Sequence, residues 1–213
     1  MMPPLYGLVL AGGRSRRMGR DKTALAYHGD TPHARYTADL LARVCEQVFV
    51  SCRAEQADDR GEDPSLASIR ELPRIADAFP YGGPLNGILS ALQAHPGAAF
   101  LVAACDLPFL SAYALAQLAR ERNPSLPATA FWNAEREALE PLCAIYEPGF
   151  AEAAEASIKL GLTCPTKILD ALDVEILRPS GSGFLENANR PEDYERARAR
   201  LAASETREDA HAR

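Results

Sequence analysis

The stretch from residue 5 to residue 22 constrains the fold of this chain more than any other. Its apolar start, LYGLVL at residues 5–10, predicts a short buried strand. The strand stops at Ala11, Gly12 and Gly13, where small or absent side chains leave backbone N–H groups accessible to an anion. Five basic residues follow: Arg14, Arg16, Arg17, Arg20 and Lys22.

This local positive charge stands in a chain whose formal net charge is −6. A glycine-rich backbone beside guanidinium and ammonium groups is typical of a polyphosphate site. The alternative is that the two glycines form a tight turn without a ligand. The spacing matches neither the dinucleotide fingerprint nor the P-loop.

Length and composition predict one domain. The chain has 213 residues, of which 47% are hydrophobic and 24% charged, enough to bury a sizeable core. We expect a domain over residues 1–202 and a disordered, polar tail over residues 203–213. The start MMPP lacks the pattern of a signal peptide, and no apolar run approaches a membrane span, so we expect a soluble, cytoplasmic protein without a membrane partner.

The sequence disfavours three further classes: general nucleic-acid-binding proteins, zinc proteins and hydrolases with a covalent nucleophile. The sequence pI is about 5.3, which argues against general nucleic-acid binding. The five cysteines include no CxxC pair and no zinc spacing, so we interpret them as reduced and mostly buried. The four histidines, His28, His33, His95 and His211, show no hydrolase pattern, and no G-x-S-x-G motif offers a nucleophile.

Short apolar runs alternate with helical patterns along the chain. Strands are predicted at residues 5–10, 48–51, 68–72, 98–104, 128–132, 141–146 and 174–177. Helices are predicted at residues 32–43, 84–93, 111–120, 148–160 and 166–172, and from Pro191 onwards. This alternation predicts an α/β fold: a three-layer, Rossmann-like arrangement in which helices flank a mostly parallel sheet.

One carboxylate ends the most continuous apolar strand, in the phrase FLVAACDLP. In parallel sheets, ligands bind beyond the carboxyl ends of the strands, so Asp106 and the glycine-rich loop are predicted to share one edge. Asp106 could be a helix cap, a structural acceptor or a metal ligand. A nearby polyphosphate favours the metal, because Mg²⁺ takes one or two carboxylates together with phosphate oxygens.

The pattern LAGGxSxRMGxDK, with Ser15, Arg17, Met18, Gly19, Asp21 and Lys22 in place, resembles the signature loop of the MobA-like nucleotidyltransferases. Three later segments resemble the same family in the same order. They are Asp77 followed by GPLNG, the strand end CD at Asp106, and NANRPED from Asn187. The resemblance covers residues 5 to about 201 and implies the nucleotidyltransferase version of the predicted fold.

The resemblance also implies roles for single residues. Arg17, Lys22 and Asp106 would be catalytic, with Arg17 and Lys22 neutralising the triphosphate and Asp106 holding the Mg²⁺ cofactor. Asn187 and Asn189 would shape the second-substrate region, although Asn189 could instead cap the last helix. The nucleotide would be bound by Leu10, Ala11, Gly12, Gly13, Arg17, Lys22, Ser51, Asp77, Gly83, Pro84, Leu85 and Asp106.

By the same likeness, the protein would transfer GMP from GTP to molybdenum-bearing molybdopterin, with molybdoenzymes or cofactor-insertion proteins as partners. LAGG and GPLNG resemble the guanylyl branch. The alternatives are a molybdopterin cytidylyltransferase, another small nucleotidyltransferase such as a sugar-nucleotide pyrophosphorylase, and a nucleotide-binding protein without catalysis. Phe131 and Trp132 are expected to pack in a hairpin rather than stack on a pterin.

Overall fold

The structure is a computed structural model that describes residues 2–11, 23, 25–57, 64–179 and 183–211. Within these residues, seven strands form one sheet in the order β5-β4-β1-β6-β8-β7-β9. The strands are β1 Leu5–Leu10, β4 Gln47–Cys52, β5 Arg74–Ala76, β6 Ala99–Ala104, β7 Ala128–Asn133, β8 Ala138–Tyr146 and β9 Glu175–Leu177. Strands β2 Ala26–His28 and β3 Thr31–Pro32 form a separate antiparallel hairpin.

The sheet is mostly parallel, as the sequence predicts. β8 runs antiparallel to both neighbours, β6 and β7, and the other pairs are parallel. β1 lies between β4 and β6, so the order of strands along the chain reverses at β1. Such a reversal opens a crevice beyond the carboxyl ends of the two strands beside it.

Helices cover both faces of the sheet, which confirms the three-layer prediction. They are α1 His33–Leu41, α2 Ala54–Ala57, α3 Pro84–Ala94, α4 Ala112–Glu121, α5 Phe150–Lys159, α6 Pro165–Ala171 and α7 Pro191–His211. Apolar residues of α1 and α4 pack on one face of the sheet, and those of α3, α5 and α6 pack on the other. β6 is buried at all six positions because it is covered from both sides.

Local sequence accounts for several helix starts. The hydroxyl of Ser111 accepts a hydrogen bond from the backbone N–H of Ala114 at 3.3 Å, which caps α4. Pro84 and Pro165 lie in the first turns of α3 and α6, where a missing N–H costs nothing.

Two points of local structure differ from what the sequence predicts. The segment at residues 68–72 is no strand: a 3-10 helix covers Pro64–Ile69, and the edge strand is β5, because only Arg74–Ala76 pairs with β4. The β2–β3 hairpin was not predicted, since its strands are too short to show alternation. The backbone of α7 is helical to His211, and the disordered tail expected over residues 203–213 stays a prediction.

The amino edge of the sheet is closed by a buried ion pair. Arg122 follows α4 and Glu147 follows β8; both side chains are 2% exposed. Nε and Nη2 of Arg122 each donate to a different carboxylate oxygen of Glu147 at 2.9 Å, and Nη1 donates to the carbonyl of Pro3 at 3.2 Å. One guanidinium therefore fixes α4, β8 and the start of β1 together.

The described residues also bear on the expectations for membrane-spanning helices and for the cysteines. None of the helices in this part of the chain combines the length and hydrophobicity that crossing a membrane requires. None of the five cysteines, all of which lie in the described residues, forms a disulfide: Cys52, Cys105 and Cys143 are buried, Cys45 is half-buried and Cys164 is exposed.

Candidate functional site

The polar ends of β1, β4, β5 and β6 meet at the carboxyl edge of the sheet. Leu10 of β1 is in register with Ser51 of β4 and Ala104 of β6. The backbone N–H of Ala11 donates to the carbonyl of Ser51 at 3.3 Å, so the peptide before the glycines is tied to β4. Asp77 and Asp106 follow β5 and β6 at this edge.

The basic part of the predicted site lies outside the described residues. This applies to Gly12, Gly13, Arg17 and Lys22, so their predicted roles stay predictions. The described site consists of the end of β1, the segment from Asp77 to α3, and Asp106.

Ser51 packs beneath α3. It is 4% exposed, and its Oγ would overlap with a Cβ placed on Gly87. Leu10 would also crowd that Cβ, with its Cδ2 at 3.1 Å. Gly87, the last residue of GPLNG, therefore lets α3 approach β4 closely, and the hydroxyl of Ser51 faces that contact.

Asn86 holds the loop that precedes α3. Its Nδ2 donates to the carbonyls of Phe79 at 2.5 Å and Tyr81 at 3.0 Å, and its Oδ1 accepts the N–H of Phe79 at 3.0 Å. The hydroxyl of Ser90 donates to the same Oδ1 at 3.0 Å and accepts the N–H of Ala78 at 2.9 Å. Asn86 is 4% exposed, so this side chain works as an internal clamp.

The clamp leaves the glycine corner accessible. A Cβ on Gly82 or Gly83 would meet no described atom within 4 Å. Gly83 has a φ of 78°, a conformation that favours glycine, and it immediately precedes Pro84 at the start of α3. Leu85 is fully buried in the core beneath the start of α3, and its predicted contact with the nucleotide stays a prediction. Open backbone at the positive end of a helix suits an anionic or polar ligand.

Asp77 is the carboxylate nearest this corner in sequence. Its N–H donates to the carbonyl of Cys52 at 2.9 Å, which continues the β4–β5 pairing to the sheet edge. Burial raises the pKa of its half-buried carboxyl, and the charge of Glu55 raises it further, against the opposing effect of Arg53. A hydrogen-bond donor or cation brought here by a ligand would stabilise the ionised form.

Asp106 lies across β1 from this corner and meets the NANRPED segment. Its carbonyl accepts the N–H of Ala188 at 2.9 Å, which places Asn187 and Asn189 beside the end of β6. Its side chain is half-buried, and its negative charge helps to raise the pKa values of Tyr27 and Glu140, in which burial is the larger cause. The structure therefore brings the predicted metal ligand and the predicted second-substrate residues together.

The start of α7 is stabilised by Asp193. Its Oδ2 accepts the N–H groups of Asn189 at 3.1 Å and Arg190 at 3.0 Å. Burial acts to raise the pKa of Asp193, but these bonds and the contact with Arg196 outweigh it and lower the pKa. The side chain of Asp193 thus supplies these two hydrogen bonds at the start of α7.

Glu140 is a site residue that sequence reasoning missed. Glu140 lies on β8 three residues before Cys143, the partner of Ala103 in β6, and the charge of Asp106 acts on its carboxyl. Glu140 is fully buried; it accepts bonds from the N–H of Leu142 at 3.2 Å and from Arg136 at 3.3 Å. Burial raises its pKa, although these contacts oppose the shift. A charged residue inside the apolar run LEPLCAIY was the available signal.

A cavity of about 320 Å³ lies further along the same edge, beyond the ends of β7 and β9. Phe131 is fully buried and packs on Phe184 with ring centroids 5.2 Å apart, as expected for a core residue. Trp132 is half-buried and lines the cavity. The cavity is lined by Trp132, Asn133, Ala134, Glu135, Arg178, Pro179, Gly183, Phe184, Leu185 and Glu186.

The donor set fits a shared cation better than a protein-only metal cage. In the described part of the chain, no three His, Cys, Asp or Glu residues are arranged to hold a metal. Asp106 offers a half-buried carboxylate at the edge, and the amides of Asn187 and Asn189 are close in sequence to Ala188, which contacts it. Mg²⁺ bound through one carboxylate and nucleotide phosphates needs no larger set.

Comparison with known proteins agrees with this geometry. Residues 7–174 match the sequence profile of the MobA-like NTP transferase domain. The chain is 33% identical over 207 residues to a probable molybdenum cofactor guanylyltransferase from Opitutus terrae, covering 93% of this chain and 96% of that protein. It is 40% identical over 191 residues to a molybdenum cofactor biosynthesis bifunctional protein from Synechocystis, covering 90% of this chain and 53% of the relative.

The chain thus spans about half the length of the Synechocystis relative. Among solved structures, molybdopterin-guanine dinucleotide biosynthesis protein A from Archaeoglobus fulgidus matches with a TM-score of 0.73 at 24% identity, over 93% of this chain and 99% of that one. That likeness supports the fold. The chain therefore belongs to the MobA-like NTP transferase domain family and is a nucleotidyltransferase.

Proposed function

We propose that the protein transfers GMP from GTP to molybdopterin bearing molybdenum, which yields the guanine dinucleotide form of the cofactor and pyrophosphate. The observation that carries this proposal is the placement of Asp106 and the Asp77–Gly87 segment on opposite sides of β1, at one edge of the sheet. The names of the relatives, among them the Opitutus terrae protein, support guanylyl transfer in particular.

The base end of GTP belongs at the corner before α3. Asn86 fixes the peptides of Phe79 and Tyr81, and the backbone at Gly82 and Gly83 is open. The N–H and C=O groups of a rigid backbone can recognise a purine by the donors and acceptors on its edge, so no charged side chain is needed. Asp77 would then interact with the nucleoside part of GTP.

The triphosphate end belongs between the end of β1 and Asp106. The backbone after Ala11, together with Arg17 and Lys22, would neutralise phosphate charge. When bound, Mg²⁺ would polarise the phosphates and orient them for displacement. Asp106 would hold this ion, with Asn187 and Asn189 on the acceptor side.

The reaction needs no protein nucleophile. The terminal phosphate of the pterin would attack the α-phosphorus of GTP in line, the new P–O bond would form, and the bond to pyrophosphate would break. Positioning and charge neutralisation supply the catalysis in such a step. The cavity beside Trp132 and Arg178 has the size and the aromatic wall to accept the pterin end.

The test supplies GTP, CTP, ATP and UTP, each labelled at the α-phosphate, with Mg²⁺ and with or without molybdenum-bearing molybdopterin. We expect that, of the four nucleotides, only GTP gives labelled dinucleotide. Pyrophosphate should be released only when the acceptor is present. Preferred use of CTP would identify a cytidylyltransferase instead. Tight binding of a nucleotide without transfer to any acceptor would favour a non-catalytic binding protein.

A further inference from the structure

The backbone after Asp106 is held at three successive carbonyl groups. The carbonyl of Asp106 accepts the N–H of Ala188 at 2.9 Å. The carbonyl of Leu107 contacts Nε2 of His33 at 3.2 Å and also accepts the N–H of Leu110 at 3.1 Å. The carbonyl of Pro108 contacts Nε2 of His28 at 3.0 Å. Apart from the local bond from Leu110, these contacts come from Ala188, from His28 in β2 and from His33 in α1.

The chemistry of these contacts fixes the tautomer of both histidines. A carbonyl oxygen only accepts, so Nε2 must carry the proton in His28 and in His33. His33 is fully buried, and burial, reinforced by the neighbouring His28, lowers its pKa to about 3. His33 is thus a neutral hydrogen-bond donor around neutral pH.

The rings of these histidines are themselves fixed. His28 stacks on Tyr36 with centroids 3.8 Å apart, and His33 meets Tyr27 edge to face at 4.8 Å. Tyr27 packs in turn on Tyr194 of α7 at 5.0 Å, and the hydroxyl of Tyr194 donates to the carbonyl of Ala26 at 3.0 Å. The aromatic packing restricts ring rotation, so the two donors point at the two carbonyls with little freedom.

We propose that His28 and His33 are positioning residues for Asp106. Their Nε2–H groups hold the two peptides that follow Asp106, while Ala188 holds its own carbonyl from the other side. Together these bonds set the direction of the carboxylate at the sheet edge. The inference rests on the proposed function in one respect, the use of Asp106 by the nucleotide and its metal ion.

The activity test compares variants that keep or remove the donor. His28→Gln and His33→Gln retain a side-chain N–H near the position of Nε2, whereas His28→Met and His33→Met remove it at similar volume. His95→Met is the matched control, since His95 packs among Tyr6, Phe49 and Phe100 at the opposite edge. The measurements are kcat, KM for GTP, the Mg²⁺ concentration for half-maximal rate, and the folded fraction.

We expect each Met variant to lower kcat and raise the half-activating Mg²⁺ concentration, each by about 3- to 10-fold, as for one lost hydrogen bond. KM for GTP should change less, and the Gln variants should recover most of the loss. Half-buried His28 keeps the test valid if His33→Met fails to fold. Equal losses in the Gln and Met variants, or the same loss in His95→Met, would overturn the proposal.

A second measurement is independent of turnover. Nitrogen NMR of the imidazoles should find the Nε2–H tautomer in both histidines, and the amide signals of Asp106, Leu107 and Ala188 should shift in the Met variants and return in the Gln variants. An Nδ1–H tautomer, or unshifted amides, would overturn the inference. A wild-type protein that transfers no nucleotide but passes this test would overturn the proposed function alone.

Discussion

The two edges of the central sheet treat charge in opposite ways. At the amino edge, Arg122 and Glu147 are almost completely buried, and two parallel hydrogen bonds join them. At the carboxyl edge, Asp77 follows β5, Asp106 follows β6 and Glu140 lies in β8, and burial raises the pKa of Asp77 and of Glu140. The charges at the amino edge are neutralised within the protein by the Arg122–Glu147 pair. At the carboxyl edge, a bound cation or a cationic ligand would neutralise Asp77 and Asp106.

This difference separates stability from function within one sheet. A buried, bidentate pair is costly to disturb because either partner alone is a charge out of water. The raised pKa values of Asp77 and Glu140 mean that ionising these carboxyls costs free energy in the folded protein, and a ligand that brings positive charge to the carboxyl edge would offset that cost. The two edges should therefore respond differently to mutation.

The largest effect should come from breaking the pair at the amino edge. Arg122→Met leaves the carboxylate of Glu147 buried without its partner, which we expect to cost about 3–5 kcal/mol of unfolding free energy. Urea denaturation measures this loss. The double variant Arg122→Met/Glu147→Leu should recover much of it, while kcat per folded molecule stays near the wild-type value. A large fall in kcat in the double variant would contradict the separation of the edges.

The matching change at the carboxyl edge should spare stability. Asp106→Asn keeps the size of the side chain but removes the charge that a divalent cation needs, so we expect transfer to fall about 100-fold or more. The melting temperature without ligand should change little. Asp170→Asn, at an exposed position of α6, is the control and should retain full activity. Loss of activity only in step with unfolding would make Asp106 a structural residue.

Gly87→Ala should affect both properties moderately. The added methyl group overlaps with Oγ of Ser51 and displaces α3 from β4, which we expect to cost about 1–3 kcal/mol and to weaken nucleotide binding at the same corner. Ser51→Ala removes the overlapping hydroxyl, so the double variant should lose less than the sum of the single ones. Additive losses in a double-mutant cycle would show that the two side chains do not meet.

The smallest effect belongs to the cap of α4. Ser111→Ala removes the hydrogen bond to the N–H of Ala114 and should cost about 1 kcal/mol of stability. Ser111→Asn should keep the cap and most of the stability. Transfer activity should be the same in both variants, because the hydrogen bond of this cap lies within the first turn of α4. A change in kcat would connect the α4 start to catalysis.

Much of the fold was predictable because the signals are local. The apolar runs at β1 and β6 exceed what a loop would carry, and their alternation with helical patterns predicts a parallel sheet. The edge strand was misplaced because β5 has only three residues, too few for a pattern. The position of Asp106 at the carboxyl edge could be predicted because a parallel sheet brings its strand ends to one edge, whatever the exact strand order.

Sequence by itself determined the class of fold, the helix starts with side-chain or proline signals, and the resemblance that ranks Asp106 first. Only the tertiary structure decided that Glu140 lies near Asp106, that Asn86 holds the loop before α3, and that His28 and His33 contact the carbonyls of the two residues after Asp106. The physical reason is range. Apolar periodicity and caps act over one or two turns, whereas these contacts join segments whose proximity exists only after the sheet has set its register.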